Sequence, residues 1–482
     1  MKNKLLTQNN FPEISHQSTS EIVNDKHSQM NVTIVSEVLK PRTIANVTSL
    51  IDHAQSKQKC IATCGGRHAM GGQQFLTNQI LVDMVNMNKV IRFDKQHGLI
   101  EVESGIYWSD LIDYLSSNQV RDESPWSIAQ KQTGCDRLSL GGSLSANMHG
   151  RALKKAPFVE DIENFSIVLS DGQVKRCNRN ENTQLFHLAI GGYGLFGVVV
   201  SITIRLVKSS LLQRNVELVS SSEAIEKLEF HSINGATYGD FQFSIDNSSK
   251  DFLQTGILST YTPIGKTSKI LQAPQQKTLS SSDWHNLIHL AHTDKAQAFA
   301  KYVHHYLSTD KQIYELNKMQ LSTYVEGYHE RMNSNSSCVR GSEMITELYV
   351  PRNRLHQFLS NAAGTLRAGE ANLIYGTVRL IEKDNETLLP WARNKFACII
   401  FNLHVQHSVS DIDKNKKIFR DIIQHAIDLD GSFYLTYHPY ASKEQILNCY
   451  PQIYEFFRQK SVYDPQHTFG SNWYMNLLSL IS

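Results

Sequence analysis

An α+β fold in two parts is what this sequence predicts. Short β-like runs separated by Gly, Asn and Asp fill residues 30–208. Gly-rich segments recur among those runs. After residue 209, longer strands with one polar and one apolar face alternate with helices. Strands that cluster this way, instead of alternating one by one with helices, argue against a parallel βαβ repeat.

Taken in order, the polar stretch 1–29 reads as a flexible leader. Val32, Ile34 and Val38 suggest strands, and after Pro41 the spacing of Val47, Ile51 and Ala54 suggests a helix. CIATC, QILVDM, KVIRFD and GLIEVES follow as short strands, and SDLIDYLSSN as a helix capped by Ser109. NFSIVLS and QVKRCN flank Asp171-Gly172, a hairpin signal. NTQLFHLAI is helical, and VVVSITIRLV is a β-branched strand. Beyond them lie strands GDFQFSID and GILSTYT, a polar connection at 264–283 and a helical region, WHNLIHLAHTDKAQAFAKYVHHYL. Strands ITELYV, LIYGTVRLI, ACIIFNLHV and SFYLTYH come next, with the helix NKKIFRDIIQHAIDL before the last of them. The final 40 residues read as helical, then irregular. The expected division is a leader at 1–29, a first domain at 30–208, a second at 209–444 and a returning segment at 445–482.

Composition narrows the function classes. The 482 residues suggest two or three domains and hold 41% hydrophobic residues, enough for sizeable cores. Lys+Arg 48 against Asp+Glu 46 leaves a net charge of +2, which argues against nucleic-acid binding through bulk charge. No apolar run reaches the length of a membrane-spanning helix, and the first residues lack a signal-peptide pattern. Seven dispersed cysteines fit a reduced, cytoplasmic protein better than a disulfide scaffold.

Three Gly-rich segments stand out: CGGRHAMGGQ at 64–73, SLGGSLSANMHGR at 139–151 and IGGYGLFGV at 190–198. Clustered glycines let backbone N–H groups approach a ligand and form anion-binding nests. Gly192, Gly194 and Gly197 spell G-x-G-x-x-G, but the run follows a helix and opens a strand, the reverse of the dinucleotide fingerprint's setting. No P-loop lysine motif and no G-x-S-x-G elbow occurs. His285, His289 and His292 fall on one helix face without the glutamate of H-E-x-x-H, and a metal role is not expected.

The order of these three segments resembles the vanillyl-alcohol oxidase family of flavoproteins, with its p-cresol methylhydroxylase (PCMH)-type FAD-binding domain. The stretch IENFSIVLSDGQVKRCNRNENTQLFHLAIGGYGLFGVVVSITIRL resembles the end of that domain, and YDPQHTFGSNWY its closing segment. The resemblance implies FAD held between two α+β lobes, with residues 209–444 forming an α+β substrate cap around a mainly antiparallel sheet. In the first loop it implies cofactor contacts at Gly65, Gly66, Arg67, His68, Ala69, Met70, Gly71 and Gln73. In the second it implies Cys135, Ser139, Gly141, Gly142, Ser145, Asn147, His149 and Gly150, and in the third Gly197 and Val198. His68 matches a histidine that often bonds the flavin 8α-methyl group, and Cys135 sits at the spacing of a second, cysteinyl link. His68 is the first candidate tether and Cys135 the second.

In the later strands, alternation places Tyr375, Thr377 and Arg379 on one face, Asn402 and His404 on another, and Tyr434, Thr436 and His438 on a third. Glu343, Glu347 and Tyr349 share a fourth. Faces rich in Tyr, His and Arg look like a pocket, so His438, His404, Asn402 and Arg379 are the catalytic candidates, ahead of Tyr437. The expected function is FAD-dependent oxidation of a small alcohol, sugar, polyol or lactone by hydride transfer to flavin N5. O₂ or another acceptor would take the electrons. An NADPH-driven reductase of a carbon–carbon double bond and a flavin-binding protein without turnover are the alternatives. No nucleic-acid partner, membrane span or metal is expected.

Overall fold

The computed structural model describes residues 20–266, 276–322 and 340–482. The chain builds mixed helix and sheet, with antiparallel pairing dominant. A small parallel sheet orders the strands Glu37–Leu39, Ile80–Asp83 and Ile61–Cys64. The helix Ile44–Ser56 buries Val47, Leu50, Ile51 and Ala54 against this sheet's core. A six-stranded antiparallel sheet is centred on Val198–Lys208, whose β-branched run pairs on both edges, with Ile162–Val168 and Leu99–Glu103. After Ser209 the chain enters a second, eight-stranded antiparallel sheet, in which Asn372–Ile381, Phe396–Gln406 and Gly341–Pro351 lie side by side.

Part of the expected leader lies outside the described residues. Residues 20–29 are ordered, contrary to expectation. Glu21–Val23 pairs with Thr33–Val35, and the buried Asp25 carboxylate accepts from the backbone of His27, Ser28 and Gln29. Polar composition hid this, because one buried carboxylate can organise a loop that has no hydrophobic pattern. Three further details differ. Tyr107, not Ser109, precedes the helix Trp108–Ser117, and no side chain caps it. The helical region after 280 is two helices, Ser281–Thr293 and Lys295–Ser308, broken at Asp294, whose side chain caps the second by accepting from Gln297 N. SFYLTYH is a strand only at Ser432–Phe433.

The carboxy-terminal residues return to the small parallel sheet. Ile61 N donates to Thr468 O at 2.7 Å, and Gly470 N donates to Ile61 O at 2.9 Å. Asp464, paired with Lys460 in full burial, accepts from Thr468 N and Phe469 N and so fixes that turn. The chain ends in a helix, Asn472–Ile481, where irregular structure was expected. Trp473 on it donates to Leu435 O at 3.1 Å, tying the terminus to the loop after Phe433.

Candidate active site

The strand Ile61–Cys64 opens directly into the first Gly-rich segment. Side chains at Gly65 and Gly66 would overlap Ser139 Oγ and the Arg137 carbonyl, so only glycine lets the first two loops touch. Arg67 takes a left-handed conformation, φ 60°, and its guanidinium pairs with Asp83 at 2.8 Å. Among the described residues, the backbone N–H groups of Gly66 to Met70 find no acceptor. Ser139 then caps the helix Leu140–Ala146 by accepting from Gly142 N at 3.2 Å. A Cβ on Gly142 would meet only Ser139 Oγ, at 3.1 Å, and otherwise open space. With Tyr193, Gly194, Gly197 and Val198 of the third segment, these loops enclose a cavity of about 210 Å³. The third segment does follow a helix, Thr183–Ala189, and open a strand.

One wall of that cavity is a row of three side chains. His68 Nδ1 lies 3.0 Å from His27 Nε2, and His68 Nε2 lies 3.5 Å from Cys135 Sγ. Burial, with His27 and Lys26 beside it, pushes the His68 imidazole down to about 2, so it is neutral. Burial also raises the Cys135 thiol, which therefore stays protonated.

A second cavity, about 320 Å³, adjoins the first and shares His27, Gln132, Gly134, Ile345 and Tyr437 with it. Tyr375, Thr377, Arg379 and Asn402 line it from the large sheet. Arg379 reaches Gln132 Oε1 at 3.3 Å and Thr133 Oγ1. Where the cavities meet, Tyr437 donates to Glu347 Oε2 at 3.2 Å. The other Glu347 oxygen accepts from Tyr349 and lies 2.7 Å from His149 Nε2, while His149 Nδ1 donates to Gly150 O at 3.0 Å. Both imidazole nitrogens thus face oxygen acceptors. Burial alone would raise the Glu347 carboxyl; His149 and Tyr349 hold it below its usual value. Burial, reinforced by Glu347, pushes the Tyr437 phenol well above its usual range.

These placements sort the expected site residues. Gly65, Gly66, Arg67, His68, Ala69, Met70, Gln73, Cys135, Ser139, Gly141, Gly142, Ser145, Gly197 and Val198 all line the first cavity. Gly71 does not; it packs under the Tyr437 carbonyl. Asn147 is buried in structural bonds to Asp384 and Val159 N, Gly150 is closed in by Gln130 and Lys131, and His149 pairs with Glu347 instead of facing the cavity. Of the catalytic candidates, Arg379 and Asn402 line the second cavity, and His404 and His438 line neither. His404 is turned to Glu343, 3.1 Å away, with its ring edge-on to His292. His438 stacks on Tyr440, because the strand that alternation assumed ends at Phe433 and the following loop presents Tyr437 instead. Of the helical histidines, His292 joins that Glu343 cluster, while His285 bonds back to Ser281 O and His289 is exposed. Sequence reasoning missed His27, Gln132 and the place of Glu347 beside Tyr437, which are far apart in the chain. It also missed the helix pair at 281–308 as a cavity wall.

The sequence profile described as FAD binding domain matches residues 35–178. The matched part of this chain is an FAD-binding domain. Over 185 residues the chain is 28% identical to an uncharacterized oxidoreductase from the fasciation locus of Rhodococcoides fascians, covering 38% of this chain and 40% of that protein. It is 26% identical over 191 residues to a putative D-arabinono-1,4-lactone oxidase of Neurospora crassa, covering 40% and 33%. With cytokinin dehydrogenase 2 of Arabidopsis thaliana it shares 25% over 178 residues, covering 36% and 34%. The chain therefore aligns with 33% to 40% of the length of these relatives.

The FAD domain's first cavity fits that cofactor. Its glycine loops supply free backbone donors for an anion where no lysine is offered. Two buried side-chain oxygens on its wall, Gln74 Oε1 and Ser104 Oγ, also lack a partner among the described residues. Bound FAD would leave neither set unsatisfied.

Proposed function

We propose that the chain is an FAD-dependent oxidoreductase that oxidises a hydroxyl-bearing small molecule of the alcohol, sugar, polyol or lactone type. The observation that carries this reading is the junction at Tyr437, where the cavity of the glycine loops and the second cavity meet beside a buried carboxylate. Bound FAD supplies the hydride acceptor. Residues 30–208 with 445–482 form the cofactor unit in this reading, and 209–444 the substrate unit. Arg379 and Asn402 orient the substrate hydroxyl. As the carbon–hydrogen bond breaks, the hydroxyl proton moves to Tyr437 Oη while the Tyr437 proton moves to Glu347 Oε2. His149, 2.7 Å from Glu347, holds that carboxylate in place in the dry interior.

His68 is the tether in this proposal. A neutral imidazole is the nucleophilic form, and the structure keeps His68 neutral, whereas Cys135 is held as the poorly nucleophilic thiol. The names of two relatives, a lactone oxidase and a cytokinin dehydrogenase, support an oxidative direction. The electron acceptor in this reading is O₂ or another acceptor. All six described cysteines are free, which supports a cytoplasmic setting. No helix among the described residues is long and apolar enough to cross a membrane.

The test is to purify the protein aerobically, record its visible spectrum, and add alcohols, polyols and lactones without oxygen. Bleaching of the flavin band by at least one of these classes is expected. A colourless protein that takes up no added FAD would contradict the reading.

A further inference from the structure

The second cavity has two unlike ends. Its polar groups come from the sheet and the loop beside the cofactor cavity. Arg379 Nε, Asn402 Oδ1 and Gln242 Oε1 are buried there without partners among the described residues. The opposite wall is the pair of helices Ser281–Thr293 and Lys295–Ser308. Trp284, Leu287, Ile288 and Ala291 recur at i, i+3, i+4 and i+7 on the first helix, and Phe299, Tyr302 and Tyr306 face in from the second. Such a stripe normally seals against other side chains. Here Trp284, Leu287, Ile288, Phe299, Tyr302 and Tyr306 are only partly buried, and all six line the cavity. No charged residue on either helix lines it. From Trp284 to Ala291 the stripe runs about 10 Å, two helical turns.

A polyol or sugar lactone carries a hydroxyl on nearly every carbon. Along this wall those hydroxyls would lose water without gaining a partner, each costing roughly tenfold in affinity. Resting on the oxidoreductase reading above, we propose that the substrate is an amphiphilic alcohol. Its hydroxyl-bearing carbon lies at Tyr437, Arg379 and Asn402, and its hydrocarbon body, about 10 Å long, lies along the two helices. This departs from the lactone in the name of one relative, the putative D-arabinono-1,4-lactone oxidase. 

The experiment uses the full FAD-loaded chain without oxygen and titrates primary alcohols from butanol to decanol, with xylitol and a gulonolactone as polar probes. Two signals are read: perturbation of the flavin spectrum, which reports binding, and bleaching, which reports oxidation. Binding is expected to tighten about fourfold per added methylene until the wall is filled. Ile288→Asn and Phe299→Ser, checked for unchanged flavin content, are expected to weaken the long alcohols at least tenfold. Affinity that is flat with chain length, or tighter binding of xylitol or the lactone, would overturn the proposal even if those compounds bleach the flavin, and would leave the oxidoreductase reading standing. Chain-length-dependent binding with no bleaching by any compound would keep the pocket assignment and remove the oxidation.

Discussion

His68 contacts His27 and Cys135 at once, so substitution separates a histidyl tether from a cysteinyl one. If it is the tether, acid-denatured wild type keeps its yellow colour on the polypeptide and His68→Ala releases it. Retention in His68→Ala, lost only when Cys135→Ala is added, would make the cysteine a second tether. Tyr437→Phe removes the hydroxyl that links the cavities to Glu347. Flavin reduction is expected to slow by about 10²- to 10⁴-fold with FAD content unchanged; a loss under threefold would remove Tyr437 from the proton path. Gly142→Leu puts a side chain into space now open at the cofactor cavity, and FAD occupancy is expected to fall. At this scale the sequence was legible wherever periodicity held. Tyr375, Thr377 and Arg379 share a face because Asn372–Ile381 is a true strand. Alternation failed at Tyr437 and His438 because the run SFYLTYH leaves the sheet after two residues, and β-branched or aromatic content does not reveal where pairing stops.

The elements that make the site are mostly connections between regular structures. The glycine loops were readable from composition, since few other residues tolerate such close backbone approach. The ordered turn at 25–31 was not, because its order comes from one carboxylate and from contacts with the first loop, such as Lys26 N to Arg67 O at 2.9 Å. The helix Asn472–Ile481 shows the same long-range logic. Asn472 N donates to Phe75 O at 2.7 Å, and Trp473, 1% exposed, packs on Tyr193 of the third Gly segment. Trp473→Ala is expected to cost about 3–5 kcal/mol of stability and to weaken FAD retention together with it. Thermal unfolding of the FAD-loaded protein checks the first effect, and flavin release on dilution the second. An unchanged melting temperature would mean that the terminal helix does not brace the cofactor loops.

The whole molecule encloses several histidines in neutral form, and this sets an acid limit. His68 is lowered to about 2 and His438 to about 4, in both cases chiefly by burial. Their folded values lie below the unfolded value near 6.5, so the unfolded chain binds more protons as pH falls below that point. Stability is therefore expected to be full above about pH 6.5 and to decline toward pH 4, by up to about 1.4 kcal/mol per pH unit for each such histidine. Melting curves of wild type and His68→Gln at pH 7 and 5 check this: the variant is expected to lose less on acidification, and equal losses would mean that His68 is not buried as a neutral ring. At the same scale, the mixed architecture was readable from strand and helix patterning, while the meeting of two cavities at Tyr437 was not, since it joins residues 27, 132, 345 and 437. That junction is the central claim, and anaerobic reduction of the purified holoprotein tests it most directly. Side-by-side addition of a hydroxyl-bearing substrate and of NADPH is expected to bleach the flavin with the first alone, and to do so far more slowly in Tyr437→Phe. Bleaching by NADPH alone, or equal rates in wild type and Tyr437→Phe, would contradict it.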